Sequence, residues 1–176
     1  MQKFMVLGAV LWSMVFSGSI ALAQNKSSKK VAEEKDWSVF VDSNPQECWA
    51  VSQPQETRVT LNGKVVPAQR GKILLFVLYR PGEDLSGQIT FTGGYPFAKK
   101  AVGVDIDGKK YSLPTVEDRW AWAATSEDDK KILDALRKGG KAIITGRSSR
   151  GKTTMDTFSL RGLTAATNEA RRRCSR

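Results

Sequence analysis

The chain has no histidine in 176 residues, only two cysteines, and a single long apolar run. Each shortage removes a class of chemistry. Without histidine there is no Ser-His-Asp triad, no Cys-His pair, no imidazole general base and no His-ligated zinc. Two cysteines cannot by themselves complete a four-ligand zinc or iron–sulfur site. Proton chemistry would fall to carboxylates, Lys, Tyr or Ser, and no cofactor or metal is expected.

The one long apolar run lies at the start. Lys3 precedes a nearly unbroken apolar stretch from Phe4 to Phe16, then come Ser17-Gly18-Ser19 and Ala21-Leu22-Ala23 before Gln24. A positive end, a short apolar core and an A-x-A site read as a cleaved secretory signal over residues 1–23. A spanning helix needs about 20 apolar residues, and this core is shorter. No cysteine follows it that lipoprotein processing could modify. Removing residues 1–23, which carry one Lys, takes 176 residues and net charge +10 to 153 and +9. That length suits one domain with a real core, and no later stretch is apolar enough to span a membrane. The expected address is the periplasm, with the outer membrane or the medium as variants.

Export changes the meaning of Cys48 and Cys174. In an oxidising compartment two cysteines most simply pair, and closing so long a loop is worth on the order of 5 kcal/mol in the chain-entropy model. Two free thiols and an intermolecular bridge are the alternatives.

Residues 24–36 (QNKSSKKVAEEKD) are polar, charged and free of aromatics, which reads as a mobile tether. A single domain is expected over residues 37–176. Its dominant period is two. Trp37 to Val41, Cys48 to Val51, Arg58 to Leu61, Lys64 to Val66, Gln88 to Phe91, Val102 to Ile106, Lys109 to Leu113, Trp120 to Ala123, Lys141 to Thr145 and Thr153 to Leu160 all read as short strands. Asn62-Gly63 and Asp107-Gly108 are hairpin turns. Ile73 to Tyr79 (ILLFVLY) is continuous and reads as a buried central strand. About eight or nine short strands at this spacing predict a mainly β fold, a sandwich or barrel. Two short helices interrupt it. Ser126 caps the first, Ile132, Leu133 and Leu136 face inward, and Gly139-Gly140 stops it. The second runs from about Thr164 to Arg173, with Leu163, Ala166, Ala170 and Cys174 on one stripe.

Few motifs suggest chemistry. Gly146 to Thr153 (GRSSRGKT) matches the phosphate-binding pattern G-x-x-x-x-G-K-[ST]. That mechanism needs a helix directly afterwards, whereas Thr153 to Leu160 alternates like a strand, so the segment reads as a basic hairpin turn. Asp105-Ile106-Asp107-Gly108 lacks the remaining ligands of a calcium loop and reads as a hairpin. The acid pairs Glu33-Glu34, Glu83-Asp84, Glu117-Asp118 and Asp128-Asp129 fall in tether, turn or helix-start positions and read as solvated. Trp37, Trp49, Trp120 and Trp122 lie in strand patterns and read as core. Gly93-Gly94-Tyr95-Pro96-Phe97 has two readings, a loop folded onto the core or an exposed recognition loop. Positive charge is scattered over Lys99-Lys100, Lys109-Lys110, Arg147, Arg150, Lys152 and Arg171 to Arg173. It suits anionic polymers or membrane headgroups, though solubility alone also accounts for it. No base-stacking module is visible, and nucleic acid is not an expected partner.

Several runs together resemble one family. They are DWSV from Asp36, CWAV from Cys48, Leu75-Phe76-Val77, FTGGYPF from Phe91, Trp120-Ala121-Trp122 and DTFSLRGLTAA from Asp156. In these the chain resembles the invasion associated locus B family of exported Gram-negative proteins, in its compact alphaproteobacterial subgroup. The resemblance covers Asp36 to Cys174. It implies an immunoglobulin-like β-sandwich in the periplasm or at the outer membrane, without enzymatic activity or catalytic residues to transfer. Pathogen members linked to host-cell invasion carry further cysteines in a late C-x-x-x-G-C region. Trp120 to Ser126 has none here, so neither that disulfide pattern nor an invasion role carries over.

The expected function is therefore non-enzymatic binding of a partner protein or an anionic envelope polymer, with Tyr95, Phe97, Arg147, Arg150 and Lys152 as the candidate surface. A small envelope hydrolase using carboxylates is the alternative, and it requires a converging Asp/Glu pair in a pocket.

Overall fold

The computed structural model describes residues 28–175, so the expected signal over 1–23 lies outside the described residues, as do residues 24–27. Period-two alternation produces two antiparallel sheets, each buried on one face. The larger runs in the order β1 (Lys29–Glu34), β2 (Trp37–Ser43), β3 (Gln46–Ser52), β6 (Leu74–Arg80), β7 (Leu85–Thr92), β11 (Trp120–Trp122), β10 (Thr115–Glu117). The smaller runs β5 (Lys64–Val65), β4 (Glu56–Leu61), β13 (Thr153–Ser159), β12 (Lys141–Arg147), β8 (Val102–Ile106), β9 (Lys109–Leu113). Neither sheet closes on itself, and the expected β-sandwich is what forms.

The sheets meet through side chains of both inner faces. Phe91 on β7 meets Phe158 on β13 edge-on, with ring centroids 6.1 Å apart. The Trp37 indole N–H donates to the Ser159 carbonyl at 3.0 Å, so the largest buried side chain is satisfied across the layers. Asn62 and Gly63 both take positive φ, as a two-residue hairpin turn requires. The Asn44–Pro45 peptide in the β2–β3 turn is cis.

Helix α1 (Ser126–Lys138) buries Ile132, Leu133 and Leu136 as expected, but its cap lies one residue earlier. Thr125 is the N-cap, its hydroxyl accepting from the Asp128 N–H at 3.1 Å. Helix α2 (Leu163–Cys174) buries Leu163, Ala166, Ala170 and Cys174, the predicted stripe. Cys48 and Cys174 form an intramolecular disulfide with Cα atoms 5.8 Å apart, which ties β3 to α2. Among the described residues no helix is long and apolar enough to cross a membrane.

Four expectations need correction. The tether over 24–36 contains strand β1, paired along β2, with Val31 and Ala32 packed against the core. Thirteen strands form among the described residues rather than eight or nine: each run read as a strand forms one, and β1 and the three-residue β10 are added. A piece as short as β10 shows no period. Asp129 is buried rather than solvated, accepting the Ile89 N–H at 2.7 Å. Burial pushes its carboxyl up to about 6, and the neighbouring Asp128 adds to the shift. Of the four tryptophans read as core, only Trp37 is buried; Trp120 is 39% exposed, and Trp49 and Trp122 are half-buried.

Candidate functional site: a cationic cleft beside an aromatic sheet face

After β7 the chain turns at Gly93-Gly94. Gly94 has φ of +72°, and a Cβ there would lie 2.6 Å from the Gly71 carbonyl oxygen, so no other residue fits. The turn aims two aromatics at the end of β12. Phe97 goes inward against Phe91, with centroids 6.0 Å apart. Tyr95 stays half-buried and meets Phe97 edge-on at 4.9 Å. Gly146 makes room for both, since a Cβ there would come within 2.6 Å of the Tyr95 hydroxyl.

This loop is laced to the basic turn fifty residues later. Ala98 N–H donates to the Arg147 carbonyl at 2.8 Å, and Ser149 N–H donates to the Pro96 carbonyl at 2.9 Å. Phe97 N–H donates to the Asp118 carbonyl at 2.7 Å, which brings in the β10–β11 turn as a third wall. The basic turn is a hairpin between β12 and β13, as its alternation predicted. Three of its amides are consumed internally: Ser148 N–H donates to the Lys152 carbonyl, Gly151 N–H to the Ser148 carbonyl, and Lys152 N–H to the Ser148 hydroxyl. A phosphate-binding loop would aim those amides at a ligand. Here those three point back into the turn.

The floor is a buried ion pair. Arg70, from the loop after β5, forks onto Asp156 of β13 with contacts of 2.6 and 2.7 Å. The Asp156 side chain is fully buried and that of Arg70 is 7% exposed. Arg70 also donates from Nε to the Gly93 carbonyl at 2.9 Å and places its guanidinium 5.0 Å from the centre of the Tyr95 ring. Burial pushes the Asp156 carboxyl above its usual range, with the Arg70 hydrogen bonds and charge pulling the other way. Burial likewise raises the Tyr95 phenol, whose oxygen shares a 2.6 Å hydrogen bond with Thr154.

These walls enclose a cleft of about 350 Å³, lined by Arg70, Tyr95, Arg119, Ser149, Arg150 and Lys152 among others, with no carboxylate in the lining. Arg119 pairs with Asp118 at 3.0 Å, whereas no ion pair engages Arg150 or Lys152 among the described residues.

Of the five candidate surface residues, Tyr95, Arg150 and Lys152 come together in this cleft. Phe97 is only 7% exposed and serves as a core anchor, which settles the loop's two readings: it folds onto the core and keeps Tyr95 at the rim. Arg147 is exposed but lies outside the lining. Arg70 and Arg119 were missed, being lone arginines in segments whose composition signals only loops or turns.

A second surface was missed entirely. Along β6, Leu75, Val77 and Tyr79 face the core while Leu74, Phe76 and Leu78 face outward. Phe40, Trp49 and Trp120 join them on the same outer face. The Phe40 and Trp49 rings lie within 9° of parallel with centroids 5.8 Å apart, and Phe76 lies 5.9 Å from Trp120.

The family described as Invasion associated locus B (IalB) protein matches residues 37–171. No curated protein and no solved structure matches the chain.

Proposed function

The chain belongs to the Invasion associated locus B family, and from that premise we propose that it is an exported, non-enzymatic envelope protein that binds an anionic envelope component through the cleft. One observation carries this reading: Arg150 and Lys152 project into a concave site whose lining holds no carboxylate. An anion entering it meets positive charge and hydroxyls without a repelling acid, the complementarity that steers association and sets its salt dependence. Two-carboxylate hydrolysis would need a facing acid pair, and the cleft lining offers none. The Cys48–Cys174 disulfide accords with an oxidising compartment.

Retention of the purified protein on Gram-negative envelope preparations, measured across a salt series, tests the reading. A basic residue near an anionic surface contributes about 1 kcal/mol, so replacing both Arg150 and Lys152 by Ala should weaken retention roughly 30-fold. Retention indifferent to salt and to both substitutions would remove the cleft from the function.

A further inference from the structure

The continuous apolar run Ile73 to Tyr79 is explained by two different faces. Its inward residues belong to the core, whereas its outward ones touch only neighbours on the same sheet face, and among the described residues no second layer covers them. Helix α1 packs on the opposite face, where Leu133 and Tyr79 both lie against Gly87, and the disulfide holds α2 to that same inner face. On the outer face two adjoining hollows, about 570 and about 240 Å³, share Trp49 and Phe76. Their rims are polar and of mixed charge: Ser38, Gln53 and Thr90 with Lys72, and the carboxylates Glu47 and, at the β1 end far from the cleft, Glu33 and Asp36. An acidic ligand's own charges must therefore lie toward the cleft. Contiguous apolar patches of this kind on a domain surface are commonly functional.

Area and charge select the occupant. The five strands β2, β3, β6, β7 and β11 span about 19 Å, and five residues along a strand about 17 Å, giving roughly 330 Å² in projection. A stable interface with a second copy takes about 800 Å² from each partner. The patch is too small for that, but it matches a chain of a few pyranose rings. A sugar offers a C–H face that packs on the electron-rich face of an aromatic ring, and hydroxyls that reach a polar rim. The charge of the ligand follows from the neighbouring cleft. Arg119 lines the cleft and Trp120 stands on the face, and consecutive Cα atoms are about 3.8 Å apart, so the two surfaces adjoin.

We propose that the outer face of the seven-stranded sheet is a platform that stacks the rings of an acidic glycan, whose carboxylate or phosphate groups reach the adjoining cationic cleft. The ligand's charge rests on the cleft's reading as an anion site; the stacking rests on the aromatic face alone.

Titration of the full protein with a galacturonate pentamer, followed by tryptophan fluorescence, tests this directly, because Trp49 and Trp120 are themselves the platform. A neutral maltopentaose and a thymidylate pentamer serve as comparisons. Binding of the galacturonate pentamer with a shift in emission is expected. Trp120→Thr and Trp49→Thr should each weaken it about tenfold, at unchanged melting temperature for the more exposed Trp120 position. Arg150→Glu with Lys152→Glu should weaken it by at least as much. Loss in the Arg/Lys variant but not in the Trp variants would overturn the platform and leave the cleft's reading standing. Loss in the Trp variants alone, with maltopentaose bound equally well, would overturn the cleft's reading and the acidic character of the ligand. Tighter binding of the thymidylate pentamer, or a dimer abolished by Trp120→Thr in sedimentation, would overturn the glycan assignment.

Discussion

Replacing Arg70 by Met keeps most of the side-chain volume and removes the charge, which leaves Asp156 fully buried without its partner. Breaking a buried ion pair from one side costs about 3–5 kcal/mol, because the surviving charge has neither water nor counter-ion. The lost hydrogen bond to Gly93 and the contact with Tyr95 overlap with that figure rather than adding to it. A destabilisation of about 4 kcal/mol is therefore expected, on the order of 8–16 °C in melting temperature for a domain of this size. Urea unfolding at pH 7 measures it. The partner substitution supplies the control: Arg70→Met combined with Asp156→Leu leaves no orphaned charge and should recover to within about 1 kcal/mol of the parent. The single variant also predicts a pH dependence. Burial already raises the Asp156 carboxyl, and Arg70 is what opposes that. Without Arg70 the folded-state value rises further above the unfolded one. Stability then is fully present below the unfolded value and is lost as pH climbs through the folded value. Arg70→Met should accordingly be more stable at pH 5 than at pH 7. A loss under about 1 kcal/mol, or a double variant no better than the single one, would refute the claim that this pair forms the cleft's floor.

Two further outcomes follow from the fold. Reducing Cys48–Cys174, or replacing both by Ala, frees a loop spanning 126 positions and should cost about 5 kcal/mol, less any relaxation; unchanged melting in dithiothreitol would count against it. Asp129, raised to about 6, contributes stability that is complete below the unfolded carboxyl value and is lost as pH rises through 6. Asp129→Asn keeps an acceptor for the Ile89 N–H and should flatten the decline between pH 5 and 7, by on the order of 1 kcal/mol after allowing for solvent screening. Chemical denaturation of both proteins at the two pH values checks this.

Much of the architecture is legible because alternation, hairpin turns and helix caps are local signals. Asn62-Gly63, Asp107-Gly108 and the α2 stripe each encode their geometry within a few residues. Gly146 to Thr153 shows the value of weighing neighbours over a motif: the β-branched residues after Thr153 gave a strand, and that settled the segment as a turn. What was not legible is contact across distance. Nothing near Arg70 announces Asp156, which lies 86 positions away, and a polar 24–36 segment hides a strand that forms only because β2 presents a free edge. The tryptophans misled for a different reason. Period two says that a residue faces one side or the other, but not which side carries the core. An apolar run with two apolar faces reads as a buried strand even when only one face is covered.

Arg70 also determines what kind of anion the cleft suits. Its charge is neutralised by Asp156, and that of Arg119 is offset by Asp118, so the available positive charge is that of Arg150 and Lys152. Two cations, Arg150 exposed and Lys152 half-buried, at about 1 kcal/mol each hold a lone small anion only weakly. A polymer is different. Its repeated acids re-engage the same two cations at high effective concentration, and its rings gain contact area on the face beyond Trp120. Modest charge at one concave point, beside a broad aromatic surface, favours a long ligand over a small one. The hairpin that places Arg150 and Lys152 is closed by the Ser148, Gly151 and Lys152 amides. The cations are therefore held on a pre-formed turn, and less ordering entropy remains to oppose binding.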